Sequence, residues 1–214
     1  MEEWEEEEEA ARFCLSERIS FRTLLPTLPA IVDLILYMAQ QYPCLPSELR
    51  NSLSTVYPSK RDQVLAEKTL KERDSLSAAL NALNCPEIIV SKFLCIIGST
   101  PLSPQLLLAF SFSDVCEEVA SLSSHDVLSL KSAIATSSLF QSKSLAPRRK
   151  IWFYIRATRN LKSALWSVDG RFSFPLKRKG LLTKEFVIGE EGKVEENRCW
   201  YKCSVVMEGC PSLQ

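Results

Sequence analysis

A lone imidazole, a late cluster of thiols and a run of cations set among aromatic rings are the features of this sequence whose residue types suit chemistry. His125 is the only histidine in 214 residues. A Ser-His-Asp or Cys-His arrangement would therefore have to use it. It stands in Ser124-His125-Asp126, at an expected helix start, and no nucleophile motif surrounds it. The residue reads as an exposed member of a first helical turn.

Cys199, Cys203 and Cys210 come closest to a metal site. Structural zinc takes four thiolate or imidazole ligands, so the fourth would have to come from Cys116, His125 or a partner. Gly189-Glu190-Glu191-Gly192-Lys193 is similar to the end of a phosphate-binding loop only in its lysine. That loop wants four residues between its glycines and Ser or Thr after the lysine; here the spacing is shorter, Val194 follows, and two glutamates repel phosphate. The expectation is no catalytic residue, no cofactor and no bound metal, hence not an enzyme.

Residues 143–184 are more informative: twelve Lys or Arg face Asp169 alone. Arg148, Arg149 and Lys150 precede Trp152, Phe153 and Tyr154. Trp166, Phe172 and Phe174 then alternate with Arg156, Arg159, Lys162 and Arg171, and Lys177, Arg178 and Lys179 follow. Clustered cations suit phosphates, and aromatic planes suit unpaired bases. The candidate nucleic-acid-binding residues are Arg148, Arg149, Lys150, Trp152, Tyr154, Arg156, Arg159, Lys177, Arg178 and Lys179. The same stretch also reads as the aromatic core of a small β unit with solvated cations, or as a nuclear-import signal. Its charge of +11 is offset by −5 in residues 1–22, −3 in 23–142 and −3 in 185–214, so the whole chain is neutral. Such asymmetry bears on partners rather than on fold.

The elements that must position these residues fall into three segments: an acidic one at 1–22, a helical domain at 23–142, and a basic then acidic appendage at 143–214. An acidic helix is expected over 2–19, although five consecutive glutamates repel one another. A second helix runs from about Pro29 to Gln41, a third from Pro46 through Leu49, Leu53 and Val56, and a fourth over 61–83 behind a capping box at Ser59-Lys60-Arg61-Asp62. The apolar run Ile88 to Ile97 reads as a buried helix between Pro86 and Gly98, with a buried strand as the alternative that periodicity does not exclude. Short helices follow at Leu106 to Phe110, from Ser113 or Asp114, and from Ser123 or Ser124 through Ile134.

Beyond Lys143 the pattern suits strands at Ile151 to Arg156, Phe172 to Leu176, Phe186 to Ile188 and Trp200 to Val206, or an unstructured tail. The fold class expected is mainly α, an antiparallel helical bundle or short helical-pair stack with a C-terminal irregular or small β-rich appendage.

Residues 98–135 resemble the second half of a helix-hairpin-helix DNA-binding module. The likeness lies in Leu106 to Phe110, the helix start at Ser113-Asp114 and the one at Ser123. Thr100-Pro101-Leu102-Ser103 stands where that module has a glycine-containing hairpin. The acidic opening is unlike a secretory or transit leader, and the run Leu24 to Met38, broken by Pro26, Pro29 and Asp33, is too short to span a bilayer. Reduced thiols in the nucleus or cytoplasm are expected. The expected function is a non-catalytic adaptor or complex subunit that docks on protein partners through its helical core. The alternative is nucleic-acid binding through residues 143–184.

Overall fold

The computed structural model describes residues 12–13, 20–112, 122–140, 145, 148–174, 181–188 and 198–211. Its helices start where local chemistry asks. α1 (Phe21–Leu24) is capped by the Ser20 hydroxyl, which accepts from the Thr23 amide. α2 (Leu28–Met38) and α3 (Pro46–Val56) each hold proline in the first turn, where its missing N–H costs nothing. α4 spans Lys60–Asn81, and α5 (Ser124–Ala135) is capped by Ser123, whose hydroxyl accepts from the Asp126 amide at 3.1 Å. The expected capping box does not form: Ser59 makes no side-chain cap to α4.

The strands are β1 (Arg12–Phe13), β2 (Val90–Thr100), β3 (Ser103–Phe112), β4 (Lys150–Thr158), β5 (Trp166–Val168), β6 (Leu182–Ile188), β7 (Arg198–Cys203) and β8 (Met207–Glu208). They form one mixed sheet in the order β1-β6-β3-β2-β4-β7-β5, with β8 paired to β4. β6 runs parallel to β1 and β3, and the other pairs are antiparallel.

This overturns the mainly helical reading, and with it the bundle or helical-pair stack and the irregular or small β-rich appendage. Helix and strand contents are about equal, and the sheet draws strands from both sides of residue 143. The run Ile88 to Ile97 lies largely in β2, and Leu106 to Phe110 lies in β3, so the first helix of the helix-hairpin-helix resemblance is a strand. Arg12 and Phe13, inside the expected acidic helix, are extended. Phe172 to Phe174 form no strand, and the expected helix from Ser113 lies outside the described residues.

The physical reason is burial on both faces. In β2, Phe93, Cys95 and Ile97 point to the helices while Leu94 and Ile96 point away, and all five are fully buried. A strand dry on both sides shows no polar alternation, so its run imitates a buried helix. The β-branched Ile88, Ile89, Val90, Ile96 and Ile97 favour the extended form.

On the helix-covered face, rings line up across four strands. Phe153 of β4 stacks on Phe93 of β2 with centroids 6.1 Å apart, Phe93 meets Phe110 of β3 at 6.2 Å, and Phe110 stacks on Phe186 of β6 at 5.3 Å. All five α-helices contribute to the same core. The opposite face holds a smaller apolar layer of Leu94, Ile96, Leu107, Ala109, Trp152 and Tyr154, with Phe172 laid over it.

The C-terminal strands are stitched to the helices by hydrogen bonds. The Trp166 indole donates to the Ala79 carbonyl at 2.8 Å, Tyr57 Oη donates to the Pro211 carbonyl at 2.9 Å, and the Cys210 amide donates to the Gln41 carbonyl at 2.8 Å. A fragment ending at residue 142 lacks β4 and β6, leaving β2 and β3 with bare edges and uncovered rings. It is expected to be unfolded or aggregated by circular dichroism and gel filtration, while the full chain unfolds cooperatively. At Gly98, an added Cβ would meet the Ser103 carbonyl oxygen at 2.7 Å and Pro104 Cα at 2.8 Å, both backbone atoms of the hairpin. Gly98→Ala should therefore lower the urea unfolding free energy by about 1–3 kcal/mol.

Candidate functional site

The residues flagged for chemistry that are described are spread over several elements of the fold, and Cys116 and residues 189–193 lie outside the described residues. His125 is in the first turn of α5 with 87% of its side chain exposed, and its Nδ1 lies 4.0 Å from its neighbour Asp126. The Ser123 hydroxyl nearby donates to Asp126 at 2.6 Å, which ties it to the helix cap. Cys199 and Cys203 are four positions apart on β7 and so about 13 Å apart along an extended strand, too far to share one zinc ion. Among the described residues no group of His, Cys, Asp and Glu is placed to hold a metal. Burial pushes the Cys203 thiol up to about 11 and the Cys95 thiol up to about 12. Such thiols are poor nucleophiles at neutral pH.

A polar cluster that the sequence reading did not foresee joins β2, β3 and β6. Lys92 Nζ donates to Ser111 Oγ at 2.8 Å and also to Glu185 Oε1, and the Ser111 hydroxyl donates to the same carboxylate oxygen. Ser111 thus donates a hydrogen bond to a carboxylate that is also paired with the ammonium. The three side chains come from β2, β3 and β6, so the cluster bridges those strands.

The basic candidates separate. Arg148 pairs with Glu208 at 3.0 Å, and the Arg149 amide donates to Gln41 Oε1 at 2.9 Å, so both lie at the β8 end. Lys150, Trp152, Tyr154 and Arg156 alternate along β4 and share the face turned away from the helices. Trp152 and Tyr154 are buried there, with Phe172 stacked on Tyr154 at 4.1 Å. They are not free to stack on a base. Arg159 sits in the turn after β4, and Lys177, Arg178 and Lys179 lie outside the described residues. Trp200 and Lys202, missed because they follow the basic stretch, stand on the same face as Arg156. The alternation in Arg198 to Cys203, with Tyr201 and Cys203 inward, carries that signal.

The helical layer holds a groove of about 490 Å³. α2 lines it with Ala30, Asp33 and Leu34. The entry and first turns of α3 add Leu45, Pro46, Ser47 and Arg50; Arg73 comes from α4 and Lys131 from α5. Arg73 grips Asp33 with both arms of its fork, Nε to Oδ1 at 3.0 Å and Nη2 to Oδ2 at 2.6 Å. That bond raises the arginine's pKa against the opposing effect of burial. Arg50 pairs with Asp74 at 2.6 Å at the open surface. No carboxylate among the described residues pairs with Lys131. The groove therefore presents an aliphatic wall beside three cations and one carboxylate, and the carboxylate is already engaged.

No protein-family model matches the chain, and no curated protein sequence matches it. No helix among the described residues is long and apolar enough to cross a membrane.

The Asp33–Arg73 pair is mostly shielded from water, whereas Arg50–Asp74 is about half exposed. Asp33→Ala leaves a shielded guanidinium without its partner and should cost about 2–3 kcal/mol, less than a fully buried pair. Arg50→Ala should cost less than about 1 kcal/mol. Urea unfolding of the two variants checks the difference.

Proposed function

We propose that this chain is a non-catalytic interaction subunit whose helical layer takes up a segment of a partner protein. The groove among α2, α3, α4 and α5 carries this reading. There an aliphatic wall (Leu34, Leu45, Pro46) stands beside an ammonium (Lys131) that has no carboxylate partner among the described residues. A segment with an apolar side chain next to carboxylates satisfies both, the apolar group against the wall and the carboxylates toward Lys131 and Arg50.

Among the described residues, the buried thiols and the exposed His125 lie on different elements, which supports a non-catalytic role. Action in the nucleus or cytoplasm is part of the same proposal. Cys95, Cys203 and Cys210 are free thiols in the core, a state that a reducing compartment maintains.

The test is fluorescence anisotropy with three labelled peptides of equal length: glutamate with leucine, lysine with leucine, and glutamate with serine. The glutamate–leucine peptide should bind at least about tenfold more tightly than either of the others, and Lys131→Glu should remove about that tenfold advantage. Equal binding of the lysine–leucine peptide, or binding indifferent to Lys131→Glu, would sink the proposal.

A further inference from the structure

On the face of the sheet turned away from the helices, four cations surround a pair of partly open aromatic rings. Phe174 and Trp200 are both half-buried, with ring centroids 6.1 Å apart at an interplanar angle of 60°. They rest on an inner tier: Phe172 meets Trp200 edge-on at 5.2 Å and lies flat on Tyr154 at 4.1 Å. The outer rings are thus held in place by packed ones.

Around them, Lys92 sits 5.1 Å from the Phe174 ring centre. Arg156 lies directly across the ladder from Trp200 on one side and from Lys92 on the other. Lys202 is two residues beyond Trp200, opposite Tyr154, and Arg171 is exposed on the segment that carries Phe172.

The acids nearby among the described residues are committed. Glu185 is held by Lys92 and Ser111, and Asp169 accepts from the Tyr154 hydroxyl at 3.3 Å and from the Arg171 amide at 3.2 Å. Further along the face, Glu208 is paired with Arg148. Arg156, Lys202 and Arg171 have no ion-pair partner among the described residues. Lys92 and Arg156 stand opposite each other as like charges, and Glu185 offsets only the first of them.

We infer that this face binds single-stranded nucleic acid, with Trp200 and Phe174 as stacking surfaces and Arg156, Lys202 and Arg171 meeting phosphates. Cations alone would suit any polyanion, but open rings among them suit bases freed from pairing. The site differs from the one expected at Trp152 and Tyr154, which are buried, Tyr154 beneath Phe172. It is also independent of the helical groove, which lies on the other side of the sheet.

The full chain would be titrated by anisotropy against labelled oligo-dT and oligo-U of about 10 nucleotides, a length suited to one such module. A duplex of the same length and inorganic polyphosphate serve as competitors. Binding should fall with salt at a log–log slope of about −2, from three phosphates at roughly −0.7 each. The double variant Arg156→Glu with Lys202→Glu should abolish binding. Trp200→Leu, which keeps the apolar contact with Phe172, should weaken it by about tenfold, the loss of one stacked base. Lys131→Glu should leave it unchanged, which separates this site from the groove. The inference fails if no oligonucleotide binds at low salt, if the double charge reversal binds as the parent does, or if polyphosphate or duplex competes as well as the single strand.

Discussion

Because β2 carries bulky apolar side chains on both faces, no single covering layer can dry it, and much of the architecture follows from that demand. One face takes the helices. The other takes Phe172 and its neighbours from the segment after β5, which lie flat on Tyr154 and against Trp200. The strands that flank β2 come from distant parts of the chain, β3 next in sequence and β4 more than fifty residues on. The row from Phe153 through Phe93 and Phe110 to Phe186 is the packing expression of this arrangement, since each ring covers part of the next. A sheet assembled from such distant segments has its contacts weighted toward high sequence separation, which slows folding relative to a helical bundle.

The two faces differ in kind because their covers differ in size. Helices present broad side-chain stripes and bury almost everything beneath them, leaving concave space only where several meet, as at the groove ringed by Arg50, Arg73 and Lys131. A short irregular segment covers a narrow band and leaves the sheet's margins near water. Cations at the margin keep their heads in solvent while their stems lie on apolar surface. Arg156 and Lys202 occupy such positions, and the half-buried Trp200 between them follows from the same narrow cover.

Polar groups in the interior serve structure. Asp33 is matched by a bidentate guanidinium, Glu185 by an ammonium and a hydroxyl, and the Trp166 indole by a helix carbonyl. Each partner comes from a different element, so each bond also fixes how two elements sit against one another. The buried thiols lie where burial raises their pKa and keeps them protonated, as small apolar fillers.

Local chemistry was legible in the sequence wherever it acts within a turn or two. The prolines opening α2 and α3, the Ser123 cap of α5 and the long polar-faced α4 are set by groups a few residues apart, and they form as the residue types require. The strand expected over Ile151 to Arg156 forms as part of β4, and its period of two puts Trp152, Tyr154 and Arg156 on one face. The identity of β2 and β3 was decided by tertiary structure. Their runs are apolar on every side, and only partner strands with two covering layers make the extended form better than a buried helix. The fate of the aromatic rings was decided there too: composition puts Trp152 and Tyr154 beside cations, but both are buried, Tyr154 under the Phe172 that the chain brings in after β5, while Trp200 is left nearer to water. Which rings a ligand can reach depends on what crosses the sheet above them, and that is fixed by contacts between residues far apart in the chain.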